Sequence, residues 1–260
     1  MTPAGDGPLP RIRELLEAGE AFCLATVVAS RDPAVRVGAR AVVRGDGTAE
    51  GELGDEGVGR EVHRLAREAL GRRRRGLVEP RPGLQVFLDV MAPEAELLVC
   101  GAGHIAVPLA AFARQLGFAV TVLDDRADFA RPDRFPGCEV VAEDFVGALR
   151  RLPLGPDTYV VVITRGHEHD AECLAEVLPK PTAYVGLIGS RRRVAFVLEM
   201  LGREGVPAER LTEVFTPIGV PLGAESPEEI ALSIASELVC VRRKGPEQAR
   251  ALRDAAGGSR

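Results

Sequence analysis

The chain has 260 residues, with 33 Lys and Arg against 38 Asp and Glu, a formal net charge of −5. That balance argues against a general binder of nucleic acid or of anionic membrane surfaces, and no apolar run approaches the roughly 20 residues a membrane helix needs. Hydrophobic residues make up 46% and aromatics only 4%, with no Trp, so a globular core has to be built from Ala, Val, Leu and Ile.

The first part of the chain reads as a small α+β domain over residues 1–92. Pro10–Ala18 is a short helix, and Ala21–Ala29 is rich enough in Val and Thr to be a strand. Gly38–Arg44 alternates into a second strand that ends at the turn Gly45-Asp46-Gly47, a hairpin signal. A glycine-rich stretch, Gly51–Gly59, leads into a helix over Arg60–Leu70, and Leu84–Val90 returns as a strand. The Arg72–Arg75 run follows that helix, where cations meet the negative end of its dipole.

Residues 93–260 change rhythm. Ala95–Cys100 is an apolar strand and His104–Leu116 a helix with one apolar face. Ala119–Asp124 and Cys138–Ala142 are further strands, the latter followed by a helix over Phe145–Leu152. Thr158–Thr164 is a continuous apolar strand, as in a sheet covered on both faces. A helix at about Asp170–Leu178, a strand Ala183–Ile188, a helix from Ser190, a short Val214–Phe215 segment and a last helix over Pro227–Val241 complete the series. Such alternation predicts an α/β fold with a doubly wound, Rossmann-like parallel sheet. The terminal GGSR is expected to be disordered.

Five cysteines (Cys23, Cys100, Cys138, Cys173 and Cys240) lie far apart with no CxxC pair, which suits a reducing compartment. The start, MTPAGDGPLPR, has no basic n-region leading into an apolar stretch, so the expected location is the cytoplasm.

Between the strand Ala95–Cys100 and the helix after it stands Gly101-Ala102-Gly103-His104-Ile105-Ala106, a G-x-G-x-x-A turn. Gly101 permits the tight turn, Gly103 lets the backbone approach a phosphate, and Ala106 keeps the helix close to the sheet. The helix N-terminus offers unpaired N–H groups to an anion. Asp124 ends the next strand, 21 residues after Gly103, where a ribose hydroxyl is usually accepted. Arg126 is placed to meet a second phosphate.

Ligands of open α/β sheets bind outside the carboxyl ends of the strands. There the sequence sets His104, Arg165, His167, Asp170, Ser190 and Arg191 around one mouth, with Arg191 reaching inward. Such a set suits a multiply anionic ligand better than an uncharged nicotinamide ring. Asp170 reads equally well as a cap on the following helix. His167 and His169 in one loop fall short of the three or four ligands that zinc requires, so no metal site is expected. Cys100 and Cys173 read as packing residues of a strand and a helix.

Residues Leu97 to Val239 resemble the C-terminal domain of the XdhC/CoxI family, accessory proteins of molybdenum hydroxylases such as xanthine dehydrogenase. The stretches that carry the resemblance are VCGAGHIAVPLAAFARQLGF, VTVLDDR with RFPG, TRGHEHD, YVGLIGSRRR and TPIGVPLGAESPEEIALSIASEL. AFCLATVV through Val62 resembles the family's other domain more weakly. The resemblance implies a chaperone rather than a turnover enzyme. Such a protein binds the molybdenum cofactor (molybdopterin), presents it to a cysteine desulfurase for sulfuration and delivers it to the hydroxylase; a homodimer is compatible with this. That cargo fits the mouth read above, where the expected cofactor contacts are Gly101, Gly103, His104, Asp124, Arg126, Arg165, His167, Asp170, Ser190 and Arg191, with no catalytic residue.

The N-terminal part departs from the family pattern. Where the family carries a glycine-rich loop with a cysteine, this chain reads Gly51-Glu52-Leu53-Gly54-Asp55-Glu56-Gly57-Val58, and Gly57 stands at the cysteine position. The Gly-Ser…Pro-Arg segment is replaced by Ala29-Ser30-Arg31-Asp32-Pro33. Two other readings stay open: an NAD(P)-dependent oxidoreductase on the same turn with His167 as general acid, and a non-binding adaptor.

Overall fold

A computed structural model describes residues 9–257, which fall into two units meeting in sequence at Pro93 and Glu94. The last three residues of the GGSR tail lie outside the described part.

The first unit holds helix α1 (Leu9–Glu17), strands β1 (Phe22–Ser30), β2 (Arg40–Arg44) and β3 (Ala49–Gly51), helix α2 (Glu56–Gly71), and strands β4 (Gly76–Arg81) and β5 (Leu84–Met91). They form a five-stranded sheet in the order β3-β2-β1-β5-β4. Its pairings are antiparallel, with Ala25 opposite Ala41 on one side and Leu88 on the other. Alternation along β1 sends Cys23, Ala25 and Val27 to one face, where Val58, Val62 and Ala66 of α2 cover them. Phe22 and Val42 face the other way, onto Leu15 of α1.

Helix α2 starts at Glu56, ahead of the expected Arg60, because the Asp55 carboxylate caps it and accepts the Val58 N–H at 2.8 Å. After its end Arg73 takes φ +46° and donates a guanidinium hydrogen bond to the Pro93 carbonyl at 2.6 Å. Strand β4 has no counterpart in the sequence reading. It is an edge strand in which Pro80 falls where the register shifts between Val78 and Arg81, a position that tolerates the missing N–H.

The second unit contains strands β6 (Ala95–Cys100), β7 (Phe118–Asp124), β8 (Glu139–Ala142), β9 (Thr158–Val162) and β10 (Tyr184–Leu187). Their helices are α3 (Ala106–Gln115), α4 (Phe145–Arg151), α5 (His167–Val177), α6 (Arg191–Arg203), α7 (Ala208–Thr212), α8 (Pro227–Lys244) and α9 (Pro246–Gly257). The strands are parallel in the order β10-β9-β6-β7-β8, and Phe215 adds a parallel bridge to Gly186 beyond β10. This is the doubly wound Rossmann order, and its switch point lies between β6 and β9. Leu97, Val99, Val120 and Val161 pack under α3 and α8, while Leu98, Cys100, Val160 and Val162 pack under α4, α5 and α6. Both faces are covered, which is why these strands read as unbroken apolar runs.

One polar group lies deep in this unit. Glu237 of α8 is 1% exposed, and its Oε1 accepts the Tyr184 hydroxyl at 2.5 Å and the Gly219 N–H at 3.0 Å. Burial, against the pull of these hydrogen bonds, holds the Glu237 carboxyl above its ordinary range. A raised folded value means the contribution to stability is complete below about pH 4.3 and is lost as pH rises through the folded pKa. Glu237→Gln keeps an acceptor and cannot ionise, so its melting temperature should gain on that of the unaltered protein between pH 5 and pH 8. Tyr184→Phe, which removes a donor from a buried carboxyl, should cost about 1–3 kcal/mol in denaturant unfolding.

Candidate functional site

The mouth of the parallel sheet is built by the segments that leave β6, β7, β9 and β10. Gly101 leaves β6 at φ +116°, and a Cβ placed on it would stand 2.5 Å from the Ile163 carbonyl oxygen. Only glycine lets the turn pass this close to the segment after β9. The Gly101 N–H is tied across to the Leu123 carbonyl at 2.7 Å. At Gly103 a Cβ would meet nothing within 4 Å, so the backbone there faces open space.

Helix α3 begins at Ala106, two residues later than expected, and His104 lies exposed in the turn before it. Ile105 is its N-cap and provides no side-chain cap, and its first turn holds no acidic residue. The first N–H groups of α3 thus have no side-chain cap within the helix. Helix α5, which follows β9, is also without a side-chain cap, at Gly166. By contrast the chain closes α4 with Asp144, α6 with Ser190 and α8 with Ser226. Helix α7, which begins after Pro207, is likewise without a side-chain cap.

The structure brings Asp124, Arg126 and Arg165 together. Asp124 is 1% exposed, and its carboxylate accepts four hydrogen bonds. These come from the Ala102 N–H at 2.7 Å, the Arg126 N–H at 3.0 Å, and Nε and Nη2 of Arg126, each at 2.8 Å. Burial raises its pKa, yet these bonds outweigh burial and hold the group ionised below the usual range. A carboxylate has about four lone-pair sites, so no acceptor is left for a ribose diol while Arg126 stays in place. Arg126 also stacks over Phe129, 3.8 Å from the ring centroid. Beside this pair Arg165 grips Asp125 with two bonds of 2.5 and 2.8 Å, which takes the Asp125 pKa down to about 2.

Asp170 is neither a cap nor a mouth residue. Helix α5 starts at His167, which puts Asp170 one turn inside, fully buried. There it accepts the Thr164 hydroxyl at 2.6 Å and Nε of Arg193 at 2.7 Å. The inward reach expected of Arg191 belongs to Arg193, because Ser190 caps α6 and the third helical position turns back over the sheet while the first turns out. Arg191 is exposed and has no hydrogen-bond or ion-pair partner among the described residues. His167 is exposed and meets Phe196 edge-on at 5.5 Å. Arg193 was legible only as one of three adjacent arginines.

Cys100 and Cys173 are fully buried, and the hydrogen bond between them together with burial pushes the Cys173 thiol far up. Among the described residues no three His, Cys, Asp or Glu side chains gather as metal ligands. A cavity of about 550 Å³ at the opposite end of the sheet carries Glu94, Glu96 and Glu139, the wrong sign for an anion.

In the first unit, Arg81 joins the two segments that replace the family motifs. It bonds Asp32 at 2.6 Å and Asp55 at 3.0 Å. Asp55 is thus engaged by both a helix end and an arginine. Sequence reading missed Arg81 because it had no strand at β4 to place it.

Comparison with known proteins gives a consistent picture. Residues 97–238 match the model of the XdhC Rossmann domain, and residues 15–79 match that of the XdhC and CoxI family. The chain is 32% identical over 241 residues to an uncharacterized protein, YqeB, of Escherichia coli, covering 86% of this chain and 44% of that one. It is 30% identical over 160 residues to a probable xanthine dehydrogenase subunit of Bacillus subtilis, covering 61% and 46%. The chain therefore spans less than half the length of these curated relatives. A solved structure described as a xanthine dehydrogenase from Bacillus halodurans shares the fold, with a TM-score of 0.67 at 24% identity over 95% of this chain and 70% of that one.

Two substitutions check this geometry. Gly101→Ala should cost about 2 kcal/mol or more, since the strained φ and the contact with Ile163 act together. Arg193→Ala should cost about 3–5 kcal/mol by leaving Asp170 buried and unpaired, and adding Asp170→Asn should recover part of that loss in the same unfolding measurement.

Proposed function

This chain belongs to the XdhC and CoxI family, and from that we propose that it is a cytoplasmic accessory protein of a xanthine dehydrogenase-type molybdenum hydroxylase. It carries the molybdenum cofactor, holding it for sulfuration and for insertion into the hydroxylase. The single observation that supports this most is the uncapped N-terminus of α3 behind the Gly101–Gly103 turn, flanked by Arg126 and Arg165. Such an end takes an anion, which fits the phosphate of a pterin-dithiolene-phosphate cargo. Gly103 leaves room for that phosphate, and Arg165 and His104 are exposed at the rim for the remainder of the ligand. The curated relative described as part of a xanthine dehydrogenase supports a hydroxylase as the partner.

The sulfur for sulfuration comes from a partner, a cysteine desulfurase. Gly57 stands where the family has its cysteine. Of this chain's own thiols, burial pushes Cys23 up to about 12 and raises Cys138 as well, so neither is a ready nucleophile. On this reading the chain presents the cofactor and the partner supplies the sulfur chemistry.

A nicotinamide-dependent oxidoreductase is the weaker reading, because its ribose hydroxyls need the Asp124 carboxylate that Arg126 and Ala102 already fill. Titration calorimetry with molybdopterin and, separately, with NADH and NADPH tests the choice. Micromolar binding of the pterin alone is expected, abolished in Gly101→Val and weakened about tenfold in Arg165→Ala. Micromolar binding of a nicotinamide cofactor without pterin binding would overturn the proposal, and binding of neither would turn it into that of an adaptor.

A further inference from the structure

Four charged side chains at the ends of β7 and β9 form two neutral pairs, Asp124 with Arg126 and Asp125 with Arg165. Either arginine can serve a bound anion in full only by leaving its carboxylate. The two pairs differ in what that separation costs.

Arg126 is fixed. Its partner Asp124 is 1% exposed, and two of the four bonds that satisfy that carboxylate come from the Arg126 guanidinium. Withdrawing it would strand a buried charge and break the stack on Phe129. Arg165 is placed differently. Its side chain is 43% exposed and that of Asp125 25%, so water reaches both groups once they part. An ion pair this open contributes little, and among the described residues the Asp125 carboxylate takes side-chain hydrogen bonds from Arg165 alone.

The path of the second pair gives it a role. Strand β6 lies between β9 and β7 in the sheet, so a bond from Arg165 after β9 to Asp125 after β7 crosses two strand spacings, about 10 Å. It bridges the mouth at the end of β6, where the Gly101–Gly103 turn leads into α3. The turn touches the segments that hold both partners. The Ala102 N–H bonds Asp124, the residue before Asp125. On the other side, a Cβ on Gly101 would stand 3.2 Å from the Cα of Thr164, the residue before Arg165. A guanidinium grips a phosphate with the same two parallel bonds that it gives a carboxylate. The Asp125 carboxylate therefore occupies the place on Arg165 that a ligand phosphate would take.

We propose that Asp125 is an internal competitor for the ligand: an arriving phosphate takes Arg165 from Asp125, and Asp125 retakes it as the phosphate leaves. The exchange lowers the affinity of the mouth and favours release. It rests on the reading of the mouth as an anion site, and adds which cation changes partner and which group opposes the change.

Inorganic phosphate is the probe, used in titration calorimetry of the full chain at low salt and in crystals grown with and without it. Asp125→Asn frees Arg165 of its competitor and should bind phosphate about tenfold more tightly than the unaltered chain, whereas Arg165→Ala should bind it about tenfold more weakly. With phosphate bound, Arg165 should bond the phosphate and stand more than about 4 Å from the Asp125 carboxylate. Phosphate at the start of α3 with the Arg165–Asp125 pair intact would overturn the proposal and leave the anion site standing. Asp125→Asn binding no more tightly than the unaltered chain would do the same. No phosphate in the mouth at about 50 mM would overturn both the proposal and the reading it rests on. Melting temperatures show that each variant is folded, and Asp125→Ser, which also removes the charge, takes the place of Asp125→Asn should that one unfold.

Discussion

The close approach of Gly101 to the Ile163 carbonyl is the constraint from which the sheet mouth follows. With no Cβ between them, the segments leaving β6 and β9 pass almost in contact at the switch point. The Gly101 N–H then reaches the Leu123 carbonyl and the Ala102 N–H reaches Asp124, so three strand ends are tied to one turn. Asp124 in turn orients Arg126, and the neighbouring Asp125 orients Arg165. The direction in which α3 starts, and hence where its free N–H groups point, is set by the same turn. A side chain at Gly101 would disturb each of these links at once.

The two units distribute their polar groups differently. At the C-terminal end of the parallel sheet, buried carboxylates serve the backbone: Asp124 secures the turn, and Asp170 secures Thr164 and the start of α6 through Arg193. In the first unit Asp32, Asp55 and Arg81 make one linked set that closes α2 and its preceding loop. The carboxylates that stand in the family's glycine-rich loop therefore complete local structure. In this chain the loop's Asp55 is satisfied by the end of α2 and by Arg81.

Most of the parallel sheet was legible because its strands are short apolar runs alternating with helical spacing, as in AELLVC and TYVVVIT. The G-x-G-x-x-A turn and Asp124 were legible for the same reason, being tied to a strand before and a helix after. Strand β4 was not, since Pro80 and the arginines before it read as punctuation, and only pairing with β5 makes this stretch extended. Helix α9 was passed over because its apolar positions are mostly alanine. At the site, the individual side chains were recognisable but their partners were not. Nothing in SRRR distinguishes Arg193 from Arg191 until the position of the Ser190 cap fixes which one turns inward. Likewise the saturation of Asp124 depends on the rotamer of Arg126, two residues along, which no spacing rule encodes.

Asp124 has a consequence for traffic through the mouth. Its hydrogen bonds are complete within the chain, so the turn is already in its final shape and needs no ligand to hold it together. Entry of an anion at α3 then demands little ordering of the protein, and departure strands no buried donor or acceptor at that carboxylate. For the carrier role proposed above, such a turn would bind by fit and release without rearrangement, as passing a molecule onward requires.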